Sequence, residues 1–146
     1  MKDRVIFCEL EERHLPSLMK LYEQFGSPVD TDYDYAENFR KSLEQGIKYF
    51  GAVDGETVIS TCYIAIIRDL THGGKPIAFI ENVITDEKYR RQGLARIVMQ
   101  TAIDYAKKCN CNKVCLLSYS YRKEAHQFYE SLGFDGDVKR GFVIKF

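Results

Sequence analysis

The chain has 146 residues, with 21 Lys+Arg against 21 Asp+Glu and a formal net charge of zero. That is one domain's worth of chain, and the charge balance argues against a dedicated nucleic-acid binder, whose affinity comes mostly from basic side chains. Hydrophobic residues at 45% and aromatics at 13% exclude a disordered chain. No apolar run reaches the roughly 20 residues that span a bilayer, and charged residues interrupt the start (MKDRVIFCELEERH) before any signal-like apolar stretch. The five cysteines are an odd number in a domain large enough to need no staples, which points to reduced thiols and a cytoplasmic protein. Cys109, Cys111 and Cys115 cluster without the paired spacing of a zinc site, so no metal is expected.

In chain order, residues 5–10 (VIFCEL) read as an opening strand. Leu15, Leu18, Leu21, Tyr22 and Phe25 then recur at helical spacing, with Pro16 in the first turn and Gly26-Ser27-Pro28 as the stop. Residues 34–45 form a second helix carrying Tyr35, Phe39 and Leu43 on one side. Strands follow at 47–53 and 58–67 around the turn signal Asp54-Gly55, and a third at 77–85 after a Gly-containing loop. Leu94, Ile97, Val98, Thr101, Ala102 and Tyr105 mark the clearest helix. A buried strand at 114–117, a short helix with Ala125, Phe128, Tyr129 and Leu132 stopped by Gly133, and an alternating strand at 142–146 complete the chain. The order predicts an α/β (α+β) fold, a mixed sheet covered by helices. The last strand is an inner strand or a sheet edge that pairs across a homodimer.

Chemistry concentrates in residues 80–96, IENVITDEKYRRQGLAR. A helix that opens at Arg90-Arg91-Gln92-Gly93-Leu94-Ala95 offers unpaired amides and the positive end of its dipole to an anion. Gly93 lets the backbone approach a bulky group, and Lys88, Arg90, Arg91 and Arg96 add cations. A solvated basic turn accounts for the same spacing. The stretch has neither a P-loop nor the three glycines of a dinucleotide fingerprint.

Arg90 through Ala95, R-x-x-G-x-A after a strand, resembles the acetyl-CoA signature of the GNAT superfamily of N-acetyltransferases. Ala125-His126-Gln127-Phe128-Tyr129-Glu130-Ser131-Leu132-Gly133-Phe134 resembles its second signature. The resemblance covers essentially the whole chain as a single domain. It implies a sheet of six to seven strands with about four helices, splayed between the strand ending at Thr85 and the strand at 114–117, with acetyl-CoA in the cleft. It implies further that the backbone of Val83, Ile84 and Thr85 pairs with the pantetheine arm, and that the amides from Arg91 to Ala95 hold the diphosphate. Arg122 stands where many members place an Asn against the cofactor arm, leaving that contact to Ser118, Ser120 or no side chain.

For the reaction, the resemblance implies an acetyl-CoA-dependent N-acetyltransferase acting on a primary amine of a small molecule, by direct attack in a ternary complex. Tyr129, at the family's usual acid position, is the candidate acid for the departing thiolate, with a reference pKa of about 10. Glu81 lies in the apolar run AFIENVI and is the candidate base, directly or through a water; a salt-bridged rim carboxylate is the bland reading. Strict alternation places Glu81, Val83 and Thr85 on one side of their strand and Ile80, Asn82 and Ile84 on the other. His72 and His126 read as surface histidines. Residues 30–37, DTDYDYAE, serve either a cationic acceptor or the capping of the second helix. Residues 81–95 are also similar to the corresponding part of glucosamine-phosphate acetyltransferases, with Asn82 where those carry Asp. A non-catalytic acyl-CoA sensor and an enzyme acting on a protein or peptide amine are the alternatives. Neither nucleic acid nor membrane is an expected partner.

Overall fold

The computed structural model describes residues 4–26 and 28–146, so Ser27 of the expected helix stop lies outside the described residues. Contacts divide the chain into two units, 1–115 and 116–146. The first contains β1 (Val5–Glu9), α1 (Leu15–Tyr22), α2 (Tyr35–Glu44), β2 (Ile47–Asp54), β3 (Thr57–Ile67), β4 (Ile77–Thr85), α3 (Leu94–Lys108) and β5 (Lys113–Cys115). Its sheet runs in chain order, β1-β2-β3-β4-β5. The first three pairings are antiparallel and β4–β5 is parallel.

Each boundary has a local cause. Asp34 caps α2 by accepting from the Glu37 amide at 2.9 Å, so this acid of the 30–37 segment is a cap. Gly55, at φ 64°, turns the chain between β2 and β3. Gly93, at φ 80°, is the N-cap of α3.

One face of the sheet is covered by α1 and α2. There Leu10, Leu15, Leu18, Leu21, Phe39, Val53, Val58 and Ile84 form a buried cluster, with Tyr22, Tyr35 and Tyr49 packed against it. On the other face α3 lies along β2, β3 and β4. Its buried residues are Leu94, Val98, Met99, Ala102 and Ala106. The expected stripe is therefore rotated: Ile97 is exposed, and Met99 and Ala106 take up the inward positions. Packing against the sheet, rather than the apolar count, sets which side of the helix turns in.

Three expectations are corrected. Among the described residues the sheet has five strands, not six to seven. The strand expected at 142–146 is not formed: these residues pair with no neighbour, and Phe142, Val143, Ile144 and Phe146 are exposed. Alternation is necessary for a half-buried strand, but a strand exists only when its backbone finds a partner. β5 is likewise shorter than expected, ending at Cys115.

The second unit holds α4 (Lys123–Ser131), whose end is specified by sequence. Gly133, at φ 103°, donates to the Glu130 carbonyl at 3.0 Å, and Phe134 donates to the Tyr129 carbonyl at 3.1 Å. This is a Schellman cap, closed by an edge-on contact between the Tyr129 and Phe134 rings at 6.2 Å.

Candidate active site

β4 is where the sheet opens. Its pairing with β5 covers only Ile77, Ala78 and Phe79, opposite Lys113, Val114 and Cys115. Pairing with β3 continues on the other edge to Thr85. From Ile80 onward, β4 and β5 are no longer partners, which is the splay expected at this place.

The same stretch carries a bulge. Tyr63 lies opposite Glu81 and Thr61 opposite Ile84, so Cys62 on β3 faces two residues, Asn82 and Val83, on β4. Asn82 takes φ 51°, a left-handed conformation that costs an ordinary residue about 1–2 kcal/mol and that Asn tolerates better than most. The extra residue re-phases the strand. Glu81 shares the α1–α2 face with Tyr63, and Ile84 lies in the buried cluster of that same face. Strict alternation, with Glu81 beside Val83 and Thr85 and opposite Ile84, does not hold. An Asn in the middle of a Val/Ile/Phe run, where Asn is disfavoured, was the signal that could have located the bulge.

Glu81 is half-buried, and burial alone raises its carboxyl above the ordinary carboxylate range. Among the described residues none forms an ion pair with it. Tyr63 opposite is raised by burial and by the Glu81 charge, so its hydroxyl stays protonated at neutral pH. The Tyr22 hydroxyl at the end of α1 is closed from solvent, makes no hydrogen bond of good geometry, and has the Asn82 side chain beside it. Periodicity placed Tyr22 on the helix stripe; nothing in it pointed to the bulge.

The turn that leads into α3 is built around backbone. Asp86 accepts from the Lys88 amide at 2.9 Å, and Arg90 folds back to donate from Nε to the Thr85 carbonyl at 3.1 Å. Arg90 is thus tied to the strand end instead of surrounding the helix start. Arg91 at φ 62° and Gly93 at φ 80° turn the chain sharply, and a Cβ at Gly93 would meet nothing within 4 Å. The first helical bond is donated by Ile97 to the Gly93 carbonyl, at 3.4 Å. The amides of Gly93, Leu94 and Ala95 precede it and have no helical acceptor, the arrangement that receives a phosphate. Of the four described non-glycine residues with left-handed φ, Asn82 and Arg91 bracket Val83, Ile84 and Thr85. Strain of this kind collects at functional sites.

In the second unit Tyr129 is half-buried on α4, in ring contact with Phe128 and Phe134. His126 is not a bare surface group: its Nε2 donates to the Tyr119 carbonyl at 2.9 Å and anchors the turn before α4. Ser118 Oγ is buried without a hydrogen-bond partner, whereas Ser120 is exposed. Arg122 is the N-cap of α4 and makes no side-chain cap. His72 is exposed in the loop before β4. The five cysteines are free thiols, and among the described residues no group of three metal-binding side chains comes together. No described helix is long and apolar enough to cross a membrane.

The Acetyltransferase (GNAT) family matches residues 15–134. The chain belongs to this family. Enzymes of the family use acetyl-CoA, and the open β4 edge and the amides at the start of α3 are groups that fit it. Among curated proteins, the chain is 30% identical over 77 residues to a glucosamine 6-phosphate N-acetyltransferase of Trypanosoma brucei brucei, covering 53% of this chain and 50% of that protein. It is 30% identical over 136 residues to an uncharacterized N-acetyltransferase, YitH, of Bacillus subtilis, covering 90% of this chain and 42% of that one. The chain thus spans half or less of the length of these relatives. Among solved structures, a putative acetyltransferase from Agrobacterium tumefaciens superposes with a TM-score of 0.88 at 35% identity, over 96% of this chain and 99% of that chain.

Proposed function

We propose that this GNAT chain transfers the acetyl group of acetyl-CoA to a primary amine of a small molecule, working as a single domain. The observation that carries the reading is β4 itself. It parts from β5 after Phe79, bulges at Asn82, and presents a half-buried carboxylate one residue before the bulge.

The roles follow from what each group can do. Acetyl-CoA supplies the activated thioester. The backbone of Val83, Ile84 and Thr85 offers an edge for its extended arm, and the amides at the start of α3 hold its diphosphate. An amine is mostly protonated at neutral pH and must lose a proton before it attacks. Glu81, its pKa raised by burial, accepts that proton directly or through a water. Tyr129 delivers a proton to the departing sulfur. The free cysteines suit a reducing, cytoplasmic setting.

The test is thiol release from acetyl-CoA across a panel of amines. Release that requires an amine, and whose kcat falls by about 10²–10⁴ in Tyr129→Phe, supports the reading. Stabilisation by CoA with no release for any acceptor would make the chain a sensor instead. Turnover on peptide N-termini alone would make it a protein-modifying enzyme.

A further inference from the structure

The surroundings of Glu81 say what kind of amine it would meet. The α1–α2 face of the sheet carries a row of rings: Phe39 and Tyr49 at 4.9 Å between centroids, then Tyr49 and Tyr63 at 5.5 Å. Tyr63 is directly opposite Glu81 on the neighbouring strand, the spacing at which side chains touch. The row is held from behind, since the Tyr49 hydroxyl is bonded to Ser42 Oγ at 2.9 Å and Phe39 is buried. One carboxylate therefore stands at the half-buried end of an aromatic row, and no described cation is paired with it.

We propose that the acceptor is recognised here as an ammonium ion on an apolar or aromatic body, held between the Tyr63 ring and the Glu81 carboxylate, and is not a phosphorylated amino sugar. The inference rests on the acetyltransferase reading for its setting, but concerns only the acceptor. A cation is attracted to the electron-rich face of a tyrosine ring, the more so when desolvated, and the carboxylate adds to that attraction. The same carboxylate then takes the proton that makes the amine nucleophilic, so recognition and activation use one residue. A phosphate dianion brought to this face would meet a negative charge and ring faces. The similarity to a glucosamine 6-phosphate enzyme thus reaches the cofactor-binding strand and helix better than it reaches this face.

The proposal is tested by binding, with CoA present and no acetyl group to transfer. The probes are 2-phenylethylamine, its uncharged counterpart 2-phenylethanol, and glucosamine 6-phosphate, with Kd read by ligand-observed NMR. The expected order has 2-phenylethylamine at least about tenfold tighter than either of the others. Tyr63→Leu, which keeps apolar bulk on the strand, loses about tenfold for the amine, and Tyr63→Phe retains wild-type affinity. Circular dichroism of each variant confirms that the fold is intact. Tighter binding of glucosamine 6-phosphate, equal binding of the alcohol, or an unchanged Kd in Tyr63→Leu would each overturn the acceptor assignment. Failure of the acetyltransferase reading shows separately, as absence of thiol release and of stabilisation by acetyl-CoA while the amine still binds.

Discussion

Glu81 combines two demands that conflict. A base must be ionised to accept a proton, yet half-burial among rings penalises the ionised form. The folded state consequently binds this proton more tightly than the unfolded chain, and ionisation above the raised pKa costs stability. Two outcomes are expected of Glu81→Gln. The acid limb of the kcat/KM pH profile, where activity falls as pH drops through the raised pKa, disappears and the rate falls by about 10²–10⁴. The melting temperature at pH 8 meanwhile rises slightly, because a neutral side chain carries no such penalty. Glu81 was legible in the sequence as a carboxylate inside an apolar run. Which face it occupies was not, because the inserted Asn82 changes the phase of the strand, and no count of alternating residues contains that information. The bond of Arg90 to the Thr85 carbonyl was equally hidden, since it depends on how the turn folds back.

Among elements, the α3 entrance separates strain from sterics. Gly93 has φ 80° and open space where a Cβ would sit. Gly93→Ala should therefore cost about 1–2 kcal/mol of backbone strain without any clash, seen as a modest drop in melting temperature. Gly93→Glu should fold equally well but lose most of the stabilisation that CoA confers, because a carboxylate sits against the diphosphate. Titrating CoA against the melting temperature of both variants checks this; Gly93→Glu stabilised as strongly as wild type would relocate the phosphate site. The helix signature at this place and the α4 signature were both readable, since each rests on a glycine whose conformation its neighbours cannot adopt cheaply. The alternating 142–146 segment forms no strand for the opposite reason: pattern alone does not supply the hydrogen-bond partner that a strand requires.

For the molecule as a whole, acid sensitivity should trace to a side chain far from the chemistry in sequence. His14 is 3% exposed beside the first turn of α1, and its Nδ1 accepts from the Glu11 amide at 2.9 Å. Burial lowers its pKa below the ordinary 6.5. The unfolded chain thus takes up the proton first, so this stability is full above about 6.5 and is lost as pH falls through that value and the lower folded one. Melting temperatures should drop between pH 7 and 5, and His14→Gln, which retains an acceptor without the titration, should flatten that slope. The chain-order sheet has a further consequence for how the protein is made. Each strand that leaves the ribosome after β1 finds its neighbour already synthesised, so the sheet can grow from one side without waiting for distant segments. β5, joined last and through only three residue pairs, is then both the final seam to close and the first to fray.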